Sequence, residues 1–108
     1  MQERERIIRI LEENKALLEA TNMDVSESLK GYWFFTRYNP EHDYFDAVVS
    51  FKTADELAKI LLGEIALDIF TTIDGGLEEL LQYRNLADDI EEAEFYKPHV
   101  ERLMKYYA

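Results

Sequence analysis

The spacing of apolar residues changes period twice along the chain. Over residues 3–20, Ile7, Ile10, Leu11, Leu17 and Leu18 recur at three- and four-residue steps. That is one stripe of a helix, with Asn14 interrupting it and Ile8 lying to one side. From 21 to 30 (TNMDVSESLK) the periodicity fades among side chains that compete with the backbone for hydrogen bonds. This stretch reads as a connection with at most a short turn of helix, leading to Gly31.

Residues 31–52 switch to the two-residue period of strands. GYWFFTRY and YFDAVVSFK are rich in aromatic and β-branched residues, and NPEHD between them supplies turn formers. The pattern predicts an antiparallel hairpin with a loop of about five residues. On its second strand Phe45, Ala47, Val49 and Phe51 share one face, and Tyr44, Asp46, Val48 and Ser50 the other. On the first, Trp33 and Phe35 lie with Arg37, while Tyr32 and Phe34 lie with Thr36 and Tyr38. Both faces of that strand are aromatic. Because an isolated hairpin is marginal in water and its edges are unpaired, something must cover the second face. The N-terminal helix, a second copy or a partner protein would each do so.

Thr53 to Gly76 returns to a helical period. Thr53 with Glu56 forms a capping box, Asp55 and Glu56 suit the positive end of the helix dipole, and Gly75 can close the helix. Leu61, Leu62, Ile65, Ala66, Ile69, Phe70 and Ile73 take one half of the cylinder; Leu57, Ile60 and Leu67 spill onto the other. Mid-helix, Gly63 either permits a close crossing or is a neutral surface glycine. Downstream, the stripes predict short helices over 76–83 and 86–96. A last helix is expected to open at Pro98, carrying Val100, Leu103, Met104 and Tyr107. The fold expected is α+β: an N-terminal helix, a hairpin over 31–52, a central helix over 54–74, and two or three shorter C-terminal helices. One domain is expected to span 1–108.

Charge adds a second pattern. The 108 residues carry a formal charge of −11. Residues 53–94 hold twelve acids and two bases, Lys59 and Arg84; the other 66 residues hold eleven acids and ten bases. Such a field repels nucleic acid and anionic membranes and attracts basic partners, or it only keeps the protein soluble. There is no cysteine, so thiol nucleophiles, zinc-thiolate sites and disulfides are excluded from these residues. The charged first ten residues and the lack of a long apolar run point to a cytoplasmic protein.

Catalytic patterns are poorly represented. Asp88, Glu91 and Glu92 share a helix face upstream of His99, but neither histidine follows a Glu at three residues, as a carboxylate-bridged metal pair would want. Glu41, His42, Asp43 and Asp46 gather on the turn without calcium-loop spacing. Ser26, Ser28 and Ser50 lie in no nucleophile elbow, and Gly75-Gly76 lacks the features of a phosphate loop. Glu64 and Asp68, one turn apart on the central helix, are general-base candidates only if their side of the helix is covered. No catalytic residue, cofactor or metal is therefore expected.

These features favour a small acidic protein-interaction module, of inhibitor, immunity or adaptor type, rather than an enzyme. Its candidate contact residues are Tyr32, Trp33, Arg37, Tyr38 and Tyr44 on the hairpin, with Asp88, Asp89, Glu91 and Glu92 on the acidic stretch. The partner expected is a protein, with a basic surface as one option, or a second copy joined through the hairpin. Direct binding to nucleic acid or membrane is not expected. Two alternatives are a ligand-binding or enzymatic domain with a pocket between hairpin and helices, and an acidic inhibitor that imitates nucleic acid.

Overall fold

The computed structural model describes residues 2–29, 31–69 and 93–106. Its architecture is mixed α+β, with an N-terminal helical segment, a three-stranded antiparallel sheet, a central helix and a C-terminal helix. The chain divides into two compact units, Met1–Leu57 and Ala58–Ala108.

In the first unit the N-terminal stripe forms two helices, α1 (Glu3–Glu13) and α2 (Lys15–Ala20). The break falls at Asn14, the residue that interrupts the apolar stripe. Asn14 is buried, and its Nδ2 donates to the Ile10 carbonyl at 2.9 Å. That bond satisfies a polar side chain taken from water and occupies a carbonyl at the end of α1. Thr21 likewise donates its hydroxyl to the Leu17 carbonyl at the end of α2.

The stretch read as a connection is a strand. β1 (Met23–Leu29) pairs antiparallel with β2 (Tyr32–Asn39), which pairs with β3 (Tyr44–Phe51), in the order β1-β2-β3. Thus the predicted hairpin is correct but incomplete. Met23, Val25 and Glu27 face Arg37, Phe35 and Trp33 in register, so β1 extends the inner face and leaves Asp24 and Ser26 on the outer one. The backbone turns into β1 at Asn22 and from β1 to β2 at Gly31, both with positive φ (57° and 84°). Those are conformations that asparagine and glycine tolerate best.

Two register shifts move side chains between faces. One lies between Glu27 and Leu29, the other where Arg37 pairs with Ala47 while Tyr38 pairs with Phe45. The second leaves Asp46 as an extra residue on β3. A single inserted residue reverses the pleat beyond it, so Phe45 joins Thr36, Tyr38 and Val48 on the outer face. This corrects the strict alternation that placed Phe45 with Ala47, Val49 and Phe51.

The inner face carries the core. Trp33, Phe35 and Phe51 are buried with Met23, Ile7, Ile10 and Leu17, and Trp33 stacks on Phe51 with ring centroids 6.4 Å apart. Ala54 and Leu57, at the start of the central helix α3 (Ala54–Ile69), are also fully buried.

The start of α3 is capped twice. Thr53 Oγ1 accepts from the Glu56 amide and donates to the Glu56 carboxylate, each at 3.2 Å. Glu3 of α1 accepts from the Ala54 amide at 2.7 Å and pairs with Arg6, which reaches Asp55 at 3.0 Å. The Ala54 hydrogen bond, and then Arg6, hold the Glu3 carboxyl below the ordinary glutamate range.

In the second unit, Ala58, Leu61, Leu62, Ile65 and Ala66 of α3 are buried at helical spacing. Together with Ala54 and Leu57 they make one continuous stripe, so Leu57 belongs to the buried side rather than the other half. Ile60 is half-buried and Leu67 exposed. The last described helix, α4 (Ala93–Met104), runs through Pro98 instead of opening there. An interior proline forfeits one backbone bond; burial of His99, Val100 and Leu103 on the following turn keeps the helix continuous. The predicted helices over 76–83 and the first part of 86–96, the helix end at Gly75 and the Tyr107 position lie outside the described residues.

Two outcomes follow for stability. Glu3→Gln should cost about 1 kcal/mol at neutral pH, as loss of a charged cap does. A carboxyl lowered in the folded state contributes stability above its unfolded pKa and loses it as pH falls through the folded pKa. Thermal melts from pH 7 to acid should therefore show the gap between wild type and Glu3→Gln closing below the ordinary glutamate range. Gly63→Ala should raise stability by about 1 kcal/mol, because among the described residues nothing beyond its chain neighbours and its own helix backbone lies within 4 Å of where its Cβ would stand; chemical denaturation measures this directly.

Candidate interaction surface

The outer face of the sheet brings together side chains from all three strands. Asp24 pairs with Thr36 and Ser26 with Phe34, while beyond the first register shift Leu29 pairs with Tyr32. From β3, Ser50 lies beside Phe34, Val48 beside Thr36, and Phe45 beside Tyr38. The result is a face with Leu29 69 %, Phe45 55 % and Val48 64 % exposed, flanked by exposed Tyr32 and Tyr38. Tyr38 and Phe45 meet edge to face at 5.6 Å, and Lys52 lies over the Tyr32 ring at 4.5 Å. Paired and cation-held aromatics keep their shape at low entropic cost, as recognition surfaces require.

The turn between β2 and β3 is tied to this face. Tyr38 donates its hydroxyl to Asp43, the residue that closes the turn with φ of 54°. Asn39 donates to Asp46 at 3.1 Å and accepts the Glu41 amide at 3.0 Å. Asp43 raises the Tyr38 phenol pKa through that bond, and the charge of Asp46 raises that of Tyr44. Both phenols therefore stay protonated and able to donate well beyond neutral pH.

The expected contact residues divide between surfaces. Tyr32 and Tyr38 stand on the outer face, and Tyr44 is exposed at the start of β3. Trp33 does not belong with them: it is 6 % exposed and faces the core with Phe35. Arg37 shares that inner side and is half-buried. Asp88, Asp89, Glu91 and Glu92 lie outside the described residues. Leu29, Phe45 and Val48 are the members that sequence reasoning missed. Met23-Asp24-Val25-Ser26 does alternate apolar with polar, a strand signal that its Asp and Ser obscured. Nothing local marks the extra residue at Asp46.

Other candidate positions are engaged in structure. Asp68 is exposed and accepts from Tyr96 of α4 at 3.1 Å; Glu64 is half-buried. Nδ1 of His99 lies 3.1 Å from Nη2 of Arg102. Burial, and then the Arg102 charge, push the His99 pKa below its ordinary value, so a neutral ring accepts from the guanidinium. A groove of about 350 Å³ opens beside α1, α2 and β1, lined by Ile8, Leu11, Leu18, Met23 and Val25 with Glu12, Lys15, Glu19 and Asp24. Its lining comes from α1, α2 and β1 and not from the predicted hairpin. Among the described residues no three acidic or histidine side chains gather to hold a metal ion, and no helix is long and apolar enough to cross a membrane.

No family model, curated protein or solved structure matches the chain.

The two faces should respond differently to substitution. Phe45→Ser and Val48→Thr are expected to shift unfolding free energy by no more than about 1 kcal/mol. Trp33→Ala should cost about 3–5 kcal/mol. Urea denaturation of the three variants compares them, and a large loss at Phe45 would place that side chain in the core.

Proposed function

We propose that this chain is a protein-interaction module that acts by occupying a partner's surface with the outer face of its sheet, and that it is not an enzyme. The observation that carries this reading is the exposure of Leu29, Tyr32, Tyr38, Phe45 and Val48 on one face of the sheet. Apolar side chains clustered on one surface characterise docking sites, whereas isolated ones are ordinary. Tyrosines fixed by Asp43 and Lys52 add directional hydrogen bonding at the border of the patch.

Charge defines the partner further. Asp24, Glu41, Asp43 and Asp46 border the face or its turn, and the chain as a whole is strongly acidic. A protein whose apolar patch is rimmed by Lys and Arg complements it, with long-range attraction speeding encounter. Inhibitors, immunity proteins and regulatory adaptors work in this way, and a cytoplasmic setting belongs to the same proposal.

The test is capture of partners from native extract, followed by titration of each identified partner against purified protein. Phe45→Ser combined with Val48→Thr should weaken the true partner by tenfold or more, which is about 1.4 kcal/mol, and added salt should weaken wild type. Equal affinity of wild type and the double variant would remove the outer face from the contact. Trp33 is unsuited to this test, since it is buried in the core and its loss would change stability rather than the outer face.

A further inference from the structure

We infer that the free edge of β3 is a self-recognition site, which joins a second copy of this chain through antiparallel β3–β3 pairing about a two-fold axis at Val49. This goes beyond the partner reading, because it uses backbone groups of the edge rather than side chains of the outer face.

The sheet has two outer strands, and they differ. β1 carries Asp24 and Glu27, its Glu27 pairs with Arg4 at 3.4 Å, and α2 packs against it. On β3, Ala47–Phe51 contains no charge, is β-branched at its centre, and among the described residues pairs on one side only. Val48 and Val49 are exposed there. Such an edge offers a row of backbone donors and acceptors to another strand. Natural edges are guarded by charge, proline or bulges; here the guard, the extra residue Asp46, lies at one end and leaves the next five residues regular.

The register follows from three constraints. A two-fold axis perpendicular to the sheet keeps both inner faces on one side, so opposed residues must share a face and their numbers must sum to an even value. Pairing must also stay on the regular side of Asp46. The axis at Val49 satisfies both over the greatest length, opposing Val49 to Val49, Val48 to Ser50 and Ala47 to Phe51. It then sets Asp46 of each copy opposite Lys52 of the other, at both ends of the paired segment. Moving the axis to Val48 draws the irregular residue into the pairing and opposes Asp46 to Ser50. Moving it to Ser50 shortens the pairing and opposes Lys52 to Val48.

Asp46 and Lys52 are exposed and have local contacts, Asp46 with Asn39 and Tyr44, Lys52 with the Tyr32 ring. A carboxylate has lone pairs beyond those it already uses, and an ammonium has three donors. The interface is isologous and closes at two copies, making six strands with the acidic β1 strands outermost. Pairing β3 to β1 instead would propagate without closure and would bring acids against the apolar strand.

Sedimentation equilibrium on purified protein, with no partner present, tests the dimer. Wild type should dimerise. Asp46→Lys and Lys52→Asp should each weaken it about tenfold, since two symmetry-related pairs become like-charged, and the double exchange should restore it. The chain has no cysteine, so Val49→Cys should cross-link two copies on oxidation, and Val48→Cys, off the axis, should do so far less. Circular dichroism confirms folding of each variant. A monomer at millimolar concentration, a double exchange that fails to restore association, or equal cross-linking at 48 and 49 would overturn the inference. These outcomes leave the partner titration unaffected, so the two proposals fail separately.

Discussion

Burial of the inner face of β2 is the constraint on which the first unit depends. Phe35 is completely buried and Trp33 nearly so, and both lie on the strand that pairs on both sides. A central strand has no spare backbone groups, so its register is fixed by two neighbours at once. Once Trp33 and Phe35 face inward, two-residue periodicity sends Tyr32, Phe34, Thr36 and Tyr38 outward. The chain has no choice about exposing aromatics there, because an aromatic strand cannot bury both faces in a single-layered sheet unless something covers the second. The outer surface is thus a consequence of the core.

Local patterns carry much of this fold. The hairpin, the turn at Asn39–Asp43 and the Thr53–Glu56 cap were legible because each depends on residues within a few positions of one another. Asn14 was visible as an interruption, though not as the break between two helices. β1 is not legible: Asp24, Ser26, Glu27 and Ser28 lower its intrinsic strand preference, and pairing with Arg37, Thr36 and Phe35 is what makes Met23-Asp24-Val25 extended. Here tertiary context overrides propensity. The extra residue at Asp46 was hidden for a different reason. Where one residue is accommodated depends on cross-strand geometry, and its effect, reversing Phe45, propagates along the strand. At Pro98 burial on the following turn outweighs the local rule that a proline opens a helix.

Electrostatics show the same division. A mixed-charge face on α1 was apparent, but its role was not. Glu3 lies 51 residues from Ala54, and the hydrogen bond between them ties α1 to the first turn of α3. Arg6 sits between Glu3 and Asp55, so two carboxylates at a helix start are neutralised in part by one guanidinium. Exposed ion pairs contribute little alone; here the backbone amide gives the cluster geometric definition. Most of the acidic stretch over 53–94, including Asp88, Asp89, Glu91 and Glu92, falls outside the described residues. The functional reading therefore rests on the sheet rather than on that charge.

Among the described residues, the three-stranded sheet leaves two kinds of open surface, and they obey different rules. The outer face is apolar area, which any complementary shape can cover, so its occupant is selected by contour and by the charges at its border. The β3 edge is a row of directed hydrogen-bonding groups at fixed spacing, which only another extended strand can satisfy. A helix or a globular surface that covers Phe45 and Val48 does nothing for the edge. A second β3 satisfies the edge without covering the face. Pairing at the edge would instead double the area of the face, setting two copies of the Tyr38–Phe45 pair on one continuous sheet. Face and edge are therefore complementary, and a partner that met both copies at once would gain from the effective concentration that the first contact creates.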